Sequence, residues 1–124
     1  MQPSHIDEQK AKSLSNEKDN ENSLKNASKA IRLDPSDGKK HFMRGQIHSG
    51  MENHGEALAD YSEAIRLDPS SAEYYFWRGL THCALGAENE TAIDDLEEAL
   101  RLDPNYGPAK YFLDTIKKAS DRGR

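Results

Sequence analysis

A six-residue phrase returns twice along this chain. Ala30-Ile31-Arg32-Leu33-Asp34-Pro35 reappears as Ala64-Ile65-Arg66-Leu67-Asp68-Pro69 and as Ala99-Leu100-Arg101-Leu102-Asp103-Pro104, which sets the three prolines 34 and 35 residues apart. A second landmark keeps step with the first: Arg44-Gly45 and Arg78-Gly79 are 34 apart, and each glycine lies 10 residues after the preceding proline. The period therefore covers a whole structural unit. A fixed period of this length marks an array of similar units that bury their apolar faces against one another.

Within a unit the apolar spacing is helical. Ala57, Leu58, Tyr61, Ala64 and Ile65, and later Ala92, Ile93, Leu96, Ala99 and Leu100, follow the i, i+3, i+4, i+7, i+8 pattern of one helix face. Nothing reads as a strand. Gly50 to Gly55 and Gly86 to Asn89 interrupt the pattern with turn-forming residues. Each Asp-Pro stops a helix, because the proline ring disfavours helical geometry in the residue before it. Each unit is thus expected to be two antiparallel helices. Gly45 to Pro69 is 24 residues and Gly79 to Pro104 is 25, which puts one inserted residue in the turn from Gly86 to Thr91.

The 124 residues fit one domain. Twenty-two acidic against 17 basic residues leave a net charge of -5, so no basic field exists to gather phosphates and no nucleic-acid partner is expected. No apolar run approaches the roughly 20 residues needed to cross a bilayer, and Met1 to Asn26 lacks the apolar stretch of a secretory signal. The expectation is a cytoplasmic protein with no membrane partner. The lone Cys83 supplies neither an internal disulfide nor a cysteine-based zinc site, in keeping with a reducing compartment.

A unit of about 34 residues with a small residue in its first helix, two spaced alanines around a large residue in its second and a closing proline resembles the tetratricopeptide repeat. Gly45, Ala57, Tyr61, Ala64 and Pro69 carry the resemblance in one unit, and Gly79, Ala92, Leu96, Ala99 and Pro104 in the next. Upstream, Ala11, Ser23, Ala27, Ala30 and Pro35 hold the same places in a polar stretch. The resemblance implies an all-α, right-handed superhelical stack of antiparallel helix pairs. Its expected divisions are a polar, flexible leader over 1–16, overlapping a degenerate repeat over 4–37, then repeats over 38–71 and 72–106, a capping helix over 107–119 and a frayed tail over 120–124.

The small residues have a packing role, since helices 8 to 10 Å apart touch most closely where side chains are shortest. Arg32, Arg66 and Arg101 sit near the ends of second helices, where a cation meets the negative end of the helix dipole. The first helices of such a stack line its concave surface. The resemblance places Phe42, Met43, Gln46 and Ser49, and then Phe76, Trp77, Leu80 and Cys83, toward that groove, with Tyr111 and Phe112 supplied by the cap. Many members of the family carry an asparagine where this chain has Met43 and Trp77. Adjacent helical residues point about 100° apart, so at least one of each pair, Phe42-Met43 and Phe76-Trp77, should face the groove. Tyr75 and Phe112 have the spacing of the buried stripe instead.

Members that grip acidic chaperone tails use basic and asparagine side chains at places held here by Glu8, Lys12, Met43, Glu73 and Trp77. Only Lys12 among these is basic, so no such tail is expected to bind. Histidines in neighbouring units are about a helix diameter apart, too far to share a zinc ion, so no metal is expected. Asp94, Asp95, Glu97 and Glu98 read as a solvated face. No nucleophile elbow, phosphate loop or HExxH string occurs, so neither catalysis nor a cofactor is expected. The expected function is a non-catalytic adaptor that holds an apolar or amphipathic peptide or helix of a partner protein, as a monomer or weak homodimer. Two alternatives are structural self-association through the degenerate edge, and a piece of a larger multidomain protein.

Overall fold

The computed structural model describes residues 5–122, with side chains from 17 to 119. Six helices run through the described residues, and no strand does: α1 (His5–Leu33), α2 (Gly38–Gly50), α3 (His54–Leu67), α4 (Ala72–Ala84), α5 (Asn89–Leu102) and α6 (Gly107–Arg122). None is long and apolar enough to cross a membrane. Connections of three or four residues oblige neighbouring helices to run antiparallel, and each helix packs extensively on the next in sequence. The two expected hairpins are α2–α3 and α4–α5. The expected cap is α6, helical through Arg122 and so longer than the predicted 107–119, with residues 123–124 outside the described ones.

The recurring Asp-Pro has a local task. Asp34 accepts from Ser36 Oγ at 3.1 Å, Asp68 from Ser70 N and Oγ at 3.3 and 2.8 Å, and Asp103 from Asn105 N at 3.1 Å, so each aspartate folds the turn that follows its helix. Asp37 and Ser71 then cap α2 and α4, accepting from Lys39 N and Tyr74 N.

Two cores result. Phe42, Ala57, Tyr61, Ala64, Ile65 and Tyr74 form one, and Phe76, Leu96, Ala99, Ala109 and Leu113 the other, with the half-buried Tyr75 and Trp77 packed against both. The small residues are contact points, as the spacing predicts. A side-chain carbon on Gly45 would lie 2.7 Å from the Tyr61 ring, and one on Gly79 would lie 3.2 Å from Asp95 Cβ. Beside these contacts Arg44 bridges to Asp60 and Arg78 to Asp95. This corrects the reading of Asp95 as part of a solvated run: it is buried, while Asp94 and Glu97 are exposed. Arg66 and Arg101 meet the helix dipole as expected and also fork onto Glu63 and Glu98, one turn earlier.

Upstream the structure departs from expectation. In place of a helix pair over 4–37, with a flexible leader, His5–Leu33 is one continuous helix of 29 residues. No glycine or proline occurs between residues 4 and 34, so nothing obliges the chain to turn. Met1 to Ser4 of the leader lie outside the described residues.

Candidate functional site

The face shared by α2 and α4 carries a cleft of about 400 Å³, lined by Lys39, Phe42, Met43 and Gln46 from α2 and by Ser71, Glu73, Tyr74 and Trp77 from the start of α4. Its floor is aromatic. Phe42 lies 4.8 Å from the Tyr74 ring and 5.6 Å from that of Tyr61, which closes the seam between the units. Trp77 stands edge-on to Phe76 at 5.5 Å, and its backbone carbonyl accepts a hydrogen bond from Thr81 Oγ1 at 2.7 Å. On its other side Trp77 borders a smaller cleft of about 200 Å³ with Ser49, His54, Leu80, Thr81 and Ala84. Trp77 is therefore the wall between two depressions.

The predicted groove residues divide. Met43, 55% exposed, and Gln46 and Trp77, both half-buried, meet in the larger cleft, and Leu80 reaches the smaller one. Phe42 and Phe76 do not present themselves to solvent: they are 6% and 4% exposed. Phe42 still lines the larger cleft as part of its floor, whereas Phe76 lines neither cleft; each occupies the helix face that turns into the inter-unit seam, leaving Met43 and Trp77 about 100° further round. Phe112 packs on Phe76 at 5.8 Å and belongs to the edge of the second core, while Tyr111 is exposed beside it. Cys83 is exposed and lines neither cleft.

Sequence reasoning missed Tyr74, Lys39 and Ser71 as lining residues. Their signal was proximity to the N-terminal cap of each first helix. Lys39 and Glu73 place one charge of each sign at the cleft, so its rim is polar and close to neutral. Three of the histidines gather at the carboxylates of the first-to-second-helix ion pairs. His41 Nδ1 and His48 Nε2 each lie 3.9 Å from the Asp60 carboxylate, and His82 lies 3.7 Å from Asp95. They surround the buried ion pairs, and His41 Nε2 is 3.1 Å from the Pro35 carbonyl. Among the described residues no group of three or more His, Cys, Asp or Glu side chains converges to hold a metal ion.

Repeat period, hairpin pairing and glycine contacts together define a class, and comparison with known families agrees. One family model, described as TPR repeat, matches residues 51–86, and a second, described as tetratricopeptide repeat, matches residues 72–106. The chain is a tetratricopeptide-repeat protein with an all-α solenoid fold. No curated protein sequence matches it. Among solved structures it is similar to the first TPR of Spaghetti (RPAP3) bound to an HSP90 peptide, SRMEEVD, with TM-score 0.78 and 24% identity over 91% of this chain and 89% of that one. It is also similar to the second TPR domain of human RPAP3 in complex with an HSP70 peptide, SGPTIEEVD, with TM-score 0.74 and 26% identity over 89% of this chain and 91% of that one. A third similar structure is MamA, with TM-score 0.74 and 19% identity over 79% of this chain; the match spans 57% of the MamA chain, little more than half its length.

Proposed function

We propose that this chain is a non-catalytic interaction module that holds an apolar or amphipathic segment of a partner protein in the cleft between α2 and α4. The observation that carries the reading is the pairing of exposed Met43 with Trp77 across a cleft of about 400 Å³ whose floor is already packed. Exposed apolar side chains grouped around a depression, with a polar rim, mark a binding surface. The TPR domains of Spaghetti and human RPAP3 each hold a peptide, which supports the same class of work here. The ligand chemistry differs: Met43 has no side-chain donor, and Trp77 offers one indole N–H on a large apolar ring where an asparagine amide would offer both a donor and an acceptor. The single cysteine fits work in the reducing interior of the cell.

Trp77→Asn tests the reading. Peptides selected from a displayed library against the natural chain are titrated against both proteins, and both are melted. An aromatic anchor at the centre of such a surface contributes about 2 kcal/mol, so affinity should fall roughly 30-fold while cooperative unfolding persists. A large fall in melting temperature with unchanged affinity per folded molecule would instead make Trp77 a packing residue.

A further inference from the structure

We propose that two copies of this chain exchange the N-terminal halves of α1, each copy supplying the first helix that the other lacks. The case begins with length. A complete unit from the start of α2 to the end of α3, Gly38–Leu67, spans 30 residues, and α1 spans 29. Counted back by the 34-residue period, α2 falls on residues 4–16, α3 on 20–33, and the connector Met51-Glu52-Asn53 on Glu17-Lys18-Asp19. Helix α1 is thus a unit drawn out straight.

Drawing it straight leaves a seat empty. Ser23, Asn26, Ala27 and Ala30 hold the places of Ala57, Asp60, Tyr61 and Ala64, all of which lie buried beneath α2. In α1 Ser23 and Asn26 are exposed, and Ala27 and Ala30 are only half-buried. Together with Met43, Gln46 and Ile47 they border an apolar cleft of about 510 Å³. Ile31, by contrast, keeps the burial of its counterpart Ile65, so α1 still packs on α2 at that position. What is missing is the partner on the next face round.

Residues 5–16 have the register to be that partner. In the second unit Gly45 must be glycine because the Tyr61 ring lies 2.7 Å from where its side-chain carbon would sit. The corresponding pair in the first unit is Ala11 and Ala27, where a methyl has been gained on one side and a large ring lost on the other. The buried Arg44–Asp60 pair becomes Lys10 and Asn26, which leaves no carboxylate to be stranded in that seat. Sizes and charges at the two ends of α1 are therefore matched to each other. They cannot meet within one straight helix, since residues 11 and 27 are separated by about 24 Å along its axis at 1.5 Å per residue. A second, antiparallel α1 brings residue 11 of one copy opposite residue 27 of the other, with the two-fold axis near Lys18. Such a contact is isologous and closes as a dimer. It uses the open end of the stack, where Met43 and Gln46 border both this seat and the α2–α4 cleft, and its test reads the mass of the chain alone, with no peptide present.

The test uses the full chain carrying Cys83→Ser, Ala11→Cys and Ala27→Cys under mild oxidation, with light scattering of the natural chain alongside. Burial of a few small apolar side chains gives a modest affinity, so the scattering mass should rise from one chain to two over roughly 1 to 100 μM. The expected cross-linked product is a covalent dimer on a non-reducing gel. A link closed within one chain would mean that α1 bends back on itself, and free thiols on a monomer at every concentration would mean that no second copy fills the seat; either result overturns the proposal. A second variant, Glu17→Gly with Lys18→Pro, installs a turn at the two-fold axis and should convert the dimer to a monomer. A dimer that survives that change unaltered would place the contact elsewhere and also overturn the proposal.

Discussion

Arg44 grips both oxygens of Asp60 at 2.8 Å from Nε and Nη2, and Arg78 repeats the grip on Asp95 at 3.0 and 2.9 Å one unit later. In each unit the fork joins the first helix to the second beside the glycine contact. Both aspartates are about 5% exposed, so neither carboxylate has water to fall back on: Asp60 is 4% and Asp95 6% exposed. Removing one partner strands the other charge, at a cost of about 3 to 5 kcal/mol, whereas replacing both together is far milder. Arg78→Met, which strands the buried Asp95 carboxylate, should therefore lower the urea midpoint sharply, and Arg78→Met with Asp95→Leu should recover much of the loss. A double variant no more stable than the single would mean that the pair contributes more than its own desolvation.

Two equivalent turns put different residues at one left-handed position. Glu52 at φ 60° and Gly86 at φ 77° are 34 residues apart, and both follow the last turn of a first helix. In each, the next backbone N–H reaches back to the helix, Asn53 N to the His48 carbonyl at 2.8 Å and Ala87 N to the His82 carbonyl at 2.9 Å. A side chain in that left-handed conformation costs roughly 1 kcal/mol that glycine avoids. Glu52→Gly should raise the unfolding free energy by up to about 1 kcal/mol, and Gly86→Ala should lower it by a similar amount, both read from denaturant titration.

Burial pushes the Tyr61 hydroxyl up to about 12 from an ordinary value of 10.0, against a smaller opposing pull from Ser49. The folded chain thus holds that proton more tightly than the unfolded chain does. Its contribution is fully present below pH 10 and is lost as the pH climbs from 10 to about 12, by about 2 to 3 kcal/mol in all. Tyr61→Phe lacks this term. Melting temperatures of the two proteins should converge or cross above pH 10, the natural chain falling faster.

A peptide ending in Glu-Glu-Val-Asp should bind poorly. Glu73 stands in the cleft where a carboxylate would have to approach, Met43 offers it no side-chain donor, and Trp77 offers only a single uncharged indole N–H. Glu8 and Lys12 lie outside the residues with described side chains. Calorimetry with SRMEEVD, the peptide held by the Spaghetti domain, should give a dissociation constant weaker than about 10 μM. Glu73→Lys with Trp77→Asn should tighten it.

The fold was legible because its signals are periodic. Pro35, Pro69 and Pro104 mark the unit ends, and the glycine and alanine spacing identifies the faces in contact. The site was legible only in part. Residues 42 and 43, or 76 and 77, differ by 100° of rotation on a helix, and sequence spacing does not say which of two apolar neighbours takes the seam; packing against Tyr61 and Tyr74, or against Phe112, decides it. Asp95 was misread because the exposed Asp94 and Glu97 and the half-buried Glu98 around it hide its position opposite Arg78. The straightness of α1 had a signal, the absence of glycine and proline, but the repeat register pointed toward a turn there.

Every extensive helix pairing joins helices that are consecutive along the chain, α1 with α2 through to α5 with α6. No distant segments have to find one another before native contacts form, and chains built from such local contacts fold in microseconds to milliseconds. Within a single copy the same locality means that unfolding has two natural starting points, the outermost helices, each packed extensively on one neighbour of its own chain. Amide exchange should therefore slow progressively from α1 and α6 toward the α3–α4 junction, which makes the middle of the chain, where Trp77 stands, the last part of the molecule to open.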